Sequence, residues 1–148
     1  MKRLILATII IFSCFNVNAD FFCRIKKFSS DEGFLQEHVT NFTQDSKGFI
    51  WFGTWNGLVR YDGYSFQTFK SLISDHNFIN NSRIYKIQLS QTGNIWCITE
   101  SHRLYLFDAS TCRFSNISAE IKCIRDKKVD NTFSLANGYT WVAFANGG

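Results

Sequence analysis

The chain has 148 residues, a length that one domain can account for, with 16 basic against 12 acidic side chains and a formal net charge of +4. That surplus is spread along the chain, and its one compact run, residues 125–128, is interrupted by Asp126, so nothing in this segment implies a nucleic-acid partner. No Ser/His/Asp order, glycine-rich phosphate loop or paired-carboxylate motif is present, so no catalytic residue and no cofactor is expected, and the chain does not read as an enzyme.

Lys2 and Arg3 precede an apolar stretch over residues 4–15, and Val17-Asn18-Ala19 offers small residues where a signal peptidase cuts. The stretch is short of the roughly 20 residues that a membrane-spanning helix needs. Residues 1–19 therefore read as a cleaved export signal; an uncleaved anchor, or a lipoprotein carrying its lipid on Cys14, are the alternatives. Cleavage removes Lys2 and Arg3, which leaves 14 basic against 12 acidic side chains. It also leaves four cysteines, Cys23, Cys97, Cys112 and Cys123, without Cys-x-x-Cys or zinc-ligand spacing, and four cysteines allow three pairings. Cys97 follows Trp96 inside a predicted strand and reads as a buried free thiol. A bridge between Cys112 and Cys123 is the pairing to test first.

Residues 21–28 read as a strand without a partner of its own, and the segment 20–38 as an outer strand plus loop that closes the last blade of a ring. A first unit, 39–83, follows. Val39-Thr40-Asn41-Phe42-Thr43 suits an inner strand, Asp45-Ser46-Lys47-Gly48 a turn, and residues 49–54 a strand buried on both faces. Asn56-Gly57 signals a type I′ hairpin into Leu58-Val59-Arg60-Tyr61, and Asp62-Gly63 turns the chain into an outer strand over residues 64–70. The second unit, 84–128, repeats this order, with Ser101-His102-Arg103 in place of Asn56-Gly57 and one residue more, which predicts a wider hairpin. The third, 129–148, stops part-way, so the chain reads as truncated.

These units are copies. Gly48 and Trp51, Gly93 and Trp96, Gly138 and Trp141 recur at a step of 45, as do Val39, Ile84 and Val129, and Phe69 with Phe114. A period of roughly 40 to 50 residues with a Gly and Trp signature and no helical pattern predicts an all-β fold, a partial β-propeller with one four-stranded blade per repeat. About two and a half blades are present, and a repeat relies on its neighbours to bury its faces.

The string from Val39 through Gln44-Asp45-Ser46-Lys47-Gly48 and Ile50-Trp51-Phe52-Gly53-Thr54, continued by Gly57-Leu58-Val59-Arg60-Tyr61-Asp62, resembles the two-component regulator propeller repeat. The second repeat lacks the Gly-Thr pair, and the third keeps little beyond Gly138, Trp141 and Val142. The resemblance implies the periplasmic region of a signalling receptor: one or two propellers, then an immunoglobulin-like domain, a membrane helix and a cytoplasmic output, often a histidine kinase. It further implies an oligosaccharide or other small extracellular ligand, a homodimeric receptor, and an inner-membrane anchor supplied by a downstream helix. Two alternatives stand beside it, a fragment of a secreted propeller enzyme acting on glycans and a truncated product without function.

Trp51, Trp96 and Trp141 sit at repeat positions in apolar strands and are expected in the core rather than on a sugar-stacking surface. Trp55 lies off the repeat beside a turn at a blade end, where ligand surfaces form, and is the one ligand-binding candidate. His38, His76 and His102 have no carboxylate or cysteine partner at ligand spacing and read as surface histidines, so no metal site is expected. Asp45, Asp62 and Asp108 are expected to accept backbone N–H bonds within turns.

Overall fold

The computed structural model describes residues 38–70 and 83–145, with the isolated positions 25, 27, 28 and 34. The leader 1–19, Cys23, His76 and most of the strand expected at 21–28 lie outside the described residues.

Two four-stranded antiparallel meanders and one hairpin follow one another. β1 (Val39–Gln44), β2 (Ile50–Thr54), β3 (Gly57–Tyr61) and β4 (Phe66–Phe69) form the first sheet in that order. β5 (Ile84–Leu89), β6 (Ile95–Thr99), β7 (Leu104–Asp108) and β8 (Arg113–Ser115) form the second, and β9 (Val129–Ser134) pairs with β10 (Thr140–Phe144). The 45-residue step of the sequence is also a step in hydrogen bonds. Trp55 N donates to His38 O, Glu100 N to Arg83 O and Ala145 N to Lys128 O. Thr40, Tyr85 and Asp130 are each skipped in the pairing, so every inner strand carries a bulge at its second residue. Gly48, Gly93 and Gly138 close the first turn of each copy at φ of 86°, 83° and 85°.

The core lies between sheets. Trp51 and Phe69 of the first press on Phe107 of the second, with ring centroids 5.6 and 4.9 Å apart, and Leu58, Ile84, Ile95 and Cys97 fill the space around them. Truncating a buried aromatic of this kind costs on the order of 3–5 kcal/mol. Gly53 makes the approach feasible, because a Cβ there would stand 2.9 Å from the side chains of Thr40 and Asn41 and 3.1 Å from Ile84. Polar links cross the same junction. The Asn41 amide donates to Ile87 O (2.8 Å) and accepts from Ile87 N (3.0 Å), imitating one rung of a sheet, while Thr40 Oγ1 donates to Ile84 O. At the second junction His102 does this work: its backbone O accepts from Val129 N and its Nδ1 lies 3.0 Å from Val129 O. A carbonyl only accepts, so Nδ1 carries the proton.

Several expectations are corrected here. Asn56 keeps a negative φ and Gly57 alone enters the left-handed region, at 115°, so the reversal is not a type I′ turn. Trp55 and Asn56 form the turn, and Gly57 follows as the first residue of β3, paired with Thr54. The cause is Thr54, whose hydroxyl accepts from Asn56 N and donates to Gly57 O at 2.8 Å, pulling the turn one residue towards the amino end. The second hairpin is indeed wider: Ile98 pairs with Leu104, and His102 enters the left-handed region at 59° in the place of Gly57. Cys112 and Cys123 are free and exposed rather than bridged, and Cys97 is free and buried. Trp141 is 67% exposed, outside any core. The face of β10 that carries it meets no further sheet among the described residues, whereas the matching Trp51 is 1% exposed under the second blade.

A short helix, α1 (Ile117–Glu120), breaks the all-β pattern between β8 and β9 and has no counterpart in the sequence reading. Asn116 caps it by accepting from Ala119 N, and Ser118 is buried where its hydroxyl accepts from Leu104 N at 2.8 Å. That donor lies next to the widened hairpin, so α1 covers a backbone group that the hairpin leaves exposed.

Candidate ligand-binding face

The blades have two ends. The β1–β2 and β3–β4 turns and their copies lie at one, and at the other lie the β2–β3 turns and the starts of the inner strands. Trp55 belongs to the second end. Its indole is 47% exposed, the His38 ring stacks on it at 3.9 Å and 30°, and the Arg83 guanidinium carbon lies 5.0 Å from its centroid. Arg83 also meets Glu100 at 3.3 Å, a pair half exposed on both sides and worth little to stability, about 0–1 kcal/mol. Tyr85, the bulge residue of β5, is 48% exposed at the same end, with His102 at 6.0 Å and Lys86 Nζ at 6.0 Å from its ring. Exposed aromatic faces beside a guanidinium, a carboxylate and imidazoles can stack a ring and hydrogen-bond its hydroxyls.

The sequence placed Trp55 here but missed its surroundings. Arg83 lies 28 positions away in the chain and reaches Trp55 only because β5 lies beside β1. His102 is not a plain surface histidine, since it joins two blades. Among the described residues no group of three or more His, Cys, Asp or Glu converges as a metal would require.

The repeat aspartates sit in turns at the opposite end. Asp45 Oδ1 accepts from Lys47 N and Phe49 N, and its Oδ2 accepts from Trp51 Nε1 at 2.8 Å. Hydrogen bonds from Ser65 N, Tyr64 N and Ser65 Oγ hold the Asp62 carboxyl below the ordinary carboxylate range. Those from Ser110 Oγ and N, then from Thr111 N, do the same for Asp108. Trp96, one step on from Trp51, has Ser90 where Trp51 has Asp45, and its buried Nε1 finds no acceptor.

Meandering four-stranded sheets joined side by side through their inner strands are blades of a β-propeller. Residues 33–56 match the family model described as two component regulator propeller. That match covers the first repeat, so the chain carries a repeat similar to the two-component regulator propeller type. A solved chain described as the extracellular domain of a hybrid two component system, BT3049 from B. thetaiotaomicron, is 23% identical with a TM-score of 0.59 over 83% of this chain. A second, BT4673 from the same organism, is 19% identical over 78% of this chain with a TM-score of 0.39, so the likeness in fold rests on the first. This chain spans 17% and 20% of the lengths of those two. No curated protein matches it.

Proposed function

We propose that this chain supplies the first blades of a periplasmic, ligand-sensing propeller in a two-component receptor, and that the ligand is an oligosaccharide held at the Trp55 end. The observation that carries the reading is the exposed indole of Trp55, held between His38 and Arg83 at a blade tip, within a repeat of the two-component regulator type. Residues 1–19 are an export signal in this reading, and a downstream helix anchors the receptor, a homodimer, in the inner membrane. The segment 20–38 closes the ring. Phe28 supports this, lying 5.0 Å from Tyr61 on the outer side of the first blade much as Phe69 lies 4.9 Å from Phe107 on the second. This stretch performs no chemistry; it offers a surface whose occupation biases the receptor between two states, which requires different affinities for the two.

Calorimetric titration of the complete ectodomain with a broad panel of oligosaccharides tests this. Binding that Trp55→Ala weakens by roughly tenfold or more agrees with the loss of one well-packed aromatic contact. Absence of binding across the panel, or binding indifferent to Trp55, refutes it.

A further inference from the structure

At the end opposite Trp55, the first and second blades enclose a cleft of about 250 Å³, lined among others by Asp45, Lys47, Trp51, Arg60, Gln91 and Asn94. Its charges are unevenly committed. The Asp45 carboxylate already receives three hydrogen bonds from its own turn and from Trp51. Arg60 is different: its guanidinium carbon lies 4.8 Å from the Phe49 ring centroid, and the Gln67 side chain, at 2.7 Å, is its one side-chain hydrogen-bond partner among the described residues. A planar cation held against an aromatic face, with N–H groups to spare, is prepared for two-point contact with a carboxylate.

The second junction supplies an internal control. There the cleft is about 120 Å³, with Ser90 in the place of Asp45, Thr92 in that of Lys47 and Leu106 in that of Arg60. The blades pack at that junction without a charge in the cleft. The cationic pair of the first junction is therefore not a requirement of the fold.

We infer that the cleft between the first two blades is a binding site for a carboxylate-bearing sugar, of the size of one hexuronic acid residue. Arg60 takes the carboxylate, Lys47 adds positive potential at the rim, and Gln91 and Asn94 offer amides to ring hydroxyls. The neutral control cleft is both too small and without a cation. The site stands apart from the Trp55 end, since the two lie at opposite ends of β2.

The test uses the full chain labelled with ¹⁵N, in which four tryptophans give separate indole signals and Trp51→Phe assigns the one bonded to Asp45. Sodium galacturonate is titrated, with galactose and sodium sulfate as controls at matched ionic strength. The Trp51 signal is expected to move saturably with galacturonate and to stay still with galactose. Arg60→Leu, which copies the residue found at the second junction, keeps the spread of indole signals and weakens binding roughly tenfold or more. Failure of the Trp51 signal to move with galacturonate, equal movement with galactose or sulfate, or undiminished binding by Arg60→Leu overturns the inference. Neutral oligosaccharides bound at Trp55 without any response to galacturonate would overturn this site and leave the proposed function standing.

Discussion

Ser90→Asp should stabilise the protein, because it repairs a hydrogen bond that the second repeat has lost. In the first repeat the indole of Trp51 donates to Asp45 Oδ2 at 2.8 Å, and Asp45 Oδ1 takes the turn amides of Lys47 and Phe49. In the second, Ser90 Oγ takes Asn94 N, at 3.0 Å, and shares a hydrogen bond with Thr92 Oγ1, at 2.8 Å, while the buried Trp96 Nε1 is left without an acceptor. The two turns close alike, with Gly48 at φ 86° and Gly93 at 83°, so an aspartate at position 90 meets the geometry already seen at 45. An unsatisfied buried donor costs about 1–3 kcal/mol, and a hydrogen bond to a charged acceptor contributes about 1.5–3 kcal/mol. Allowing for the partial desolvation of the new carboxylate, a net gain of about 1–2 kcal/mol is expected, a rise in Tm of roughly 3–6 °C for a chain of this size. Thermal and urea unfolding of wild type, Ser90→Asp and the reciprocal Asp45→Ser measure it. Asp45→Ser should lose about 2–3 kcal/mol, since it strands the Trp51 donor. A Ser90→Asp protein no more stable than wild type, beside a destabilised Asp45→Ser, would refute the idea that the carboxylate and indole act as one unit.

The glycines of the first blade should separate by surroundings rather than by φ alone. A Cβ on Gly57 meets Phe69 O at 2.5 Å whereas one on Gly63 meets nothing within 4 Å, so Gly57→Ala is expected to cost about 2–4 kcal/mol and Gly63→Ala about 1 kcal/mol in urea unfolding. Burial pushes the Cys97 thiol far up, so peptide mapping after brief maleimide treatment should find Cys112 and Cys123 modified in the native protein and Cys97 modified only after unfolding. Hydrogen bonds lower the folded-state pKa of Asp62 and Asp108, so their contribution to stability is present above the unfolded carboxylate value, about 3.9, and lost as pH falls through the lowered values. Replacing both with Asn should flatten the acid limb of a stability profile, and an unchanged limb would show that other carboxyls govern it.

What the sequence made legible was the part written in side chains with strict requirements. Gly48, Gly93 and Gly138 announce positive φ, and Trp51 and Trp96 announce strands that face another sheet. The missed features turn on contacts between residues far apart in the chain or on competition within a turn. Thr54 outbids the Asn56-Gly57 signal because a hydroxyl one residue earlier can close the turn. His102 gives no local sign that Val129 will lie against it. α1 owes its place to one buried amide, that of Leu104. Trp141 carries the repeat signature, yet its exposure depends on what stands opposite, which no residue near it encodes. At the Trp55 end the exposed aromatic could be found from its place off the repeat, but Arg83 and Tyr85 join it only through the packing of blades.

The bonds from Trp55, Glu100 and Ala145 to His38, Arg83 and Lys128 run between backbone atoms that every residue except proline possesses. Substitution at these six positions therefore leaves the closure of each blade tip intact while changing what the tip offers to solvent. Tryptophan, glutamate and alanine already occupy one set of three, and histidine, arginine and lysine the other. A protein built in this way can exchange the chemistry displayed along one rim, blade by blade, without reopening the question of whether it folds.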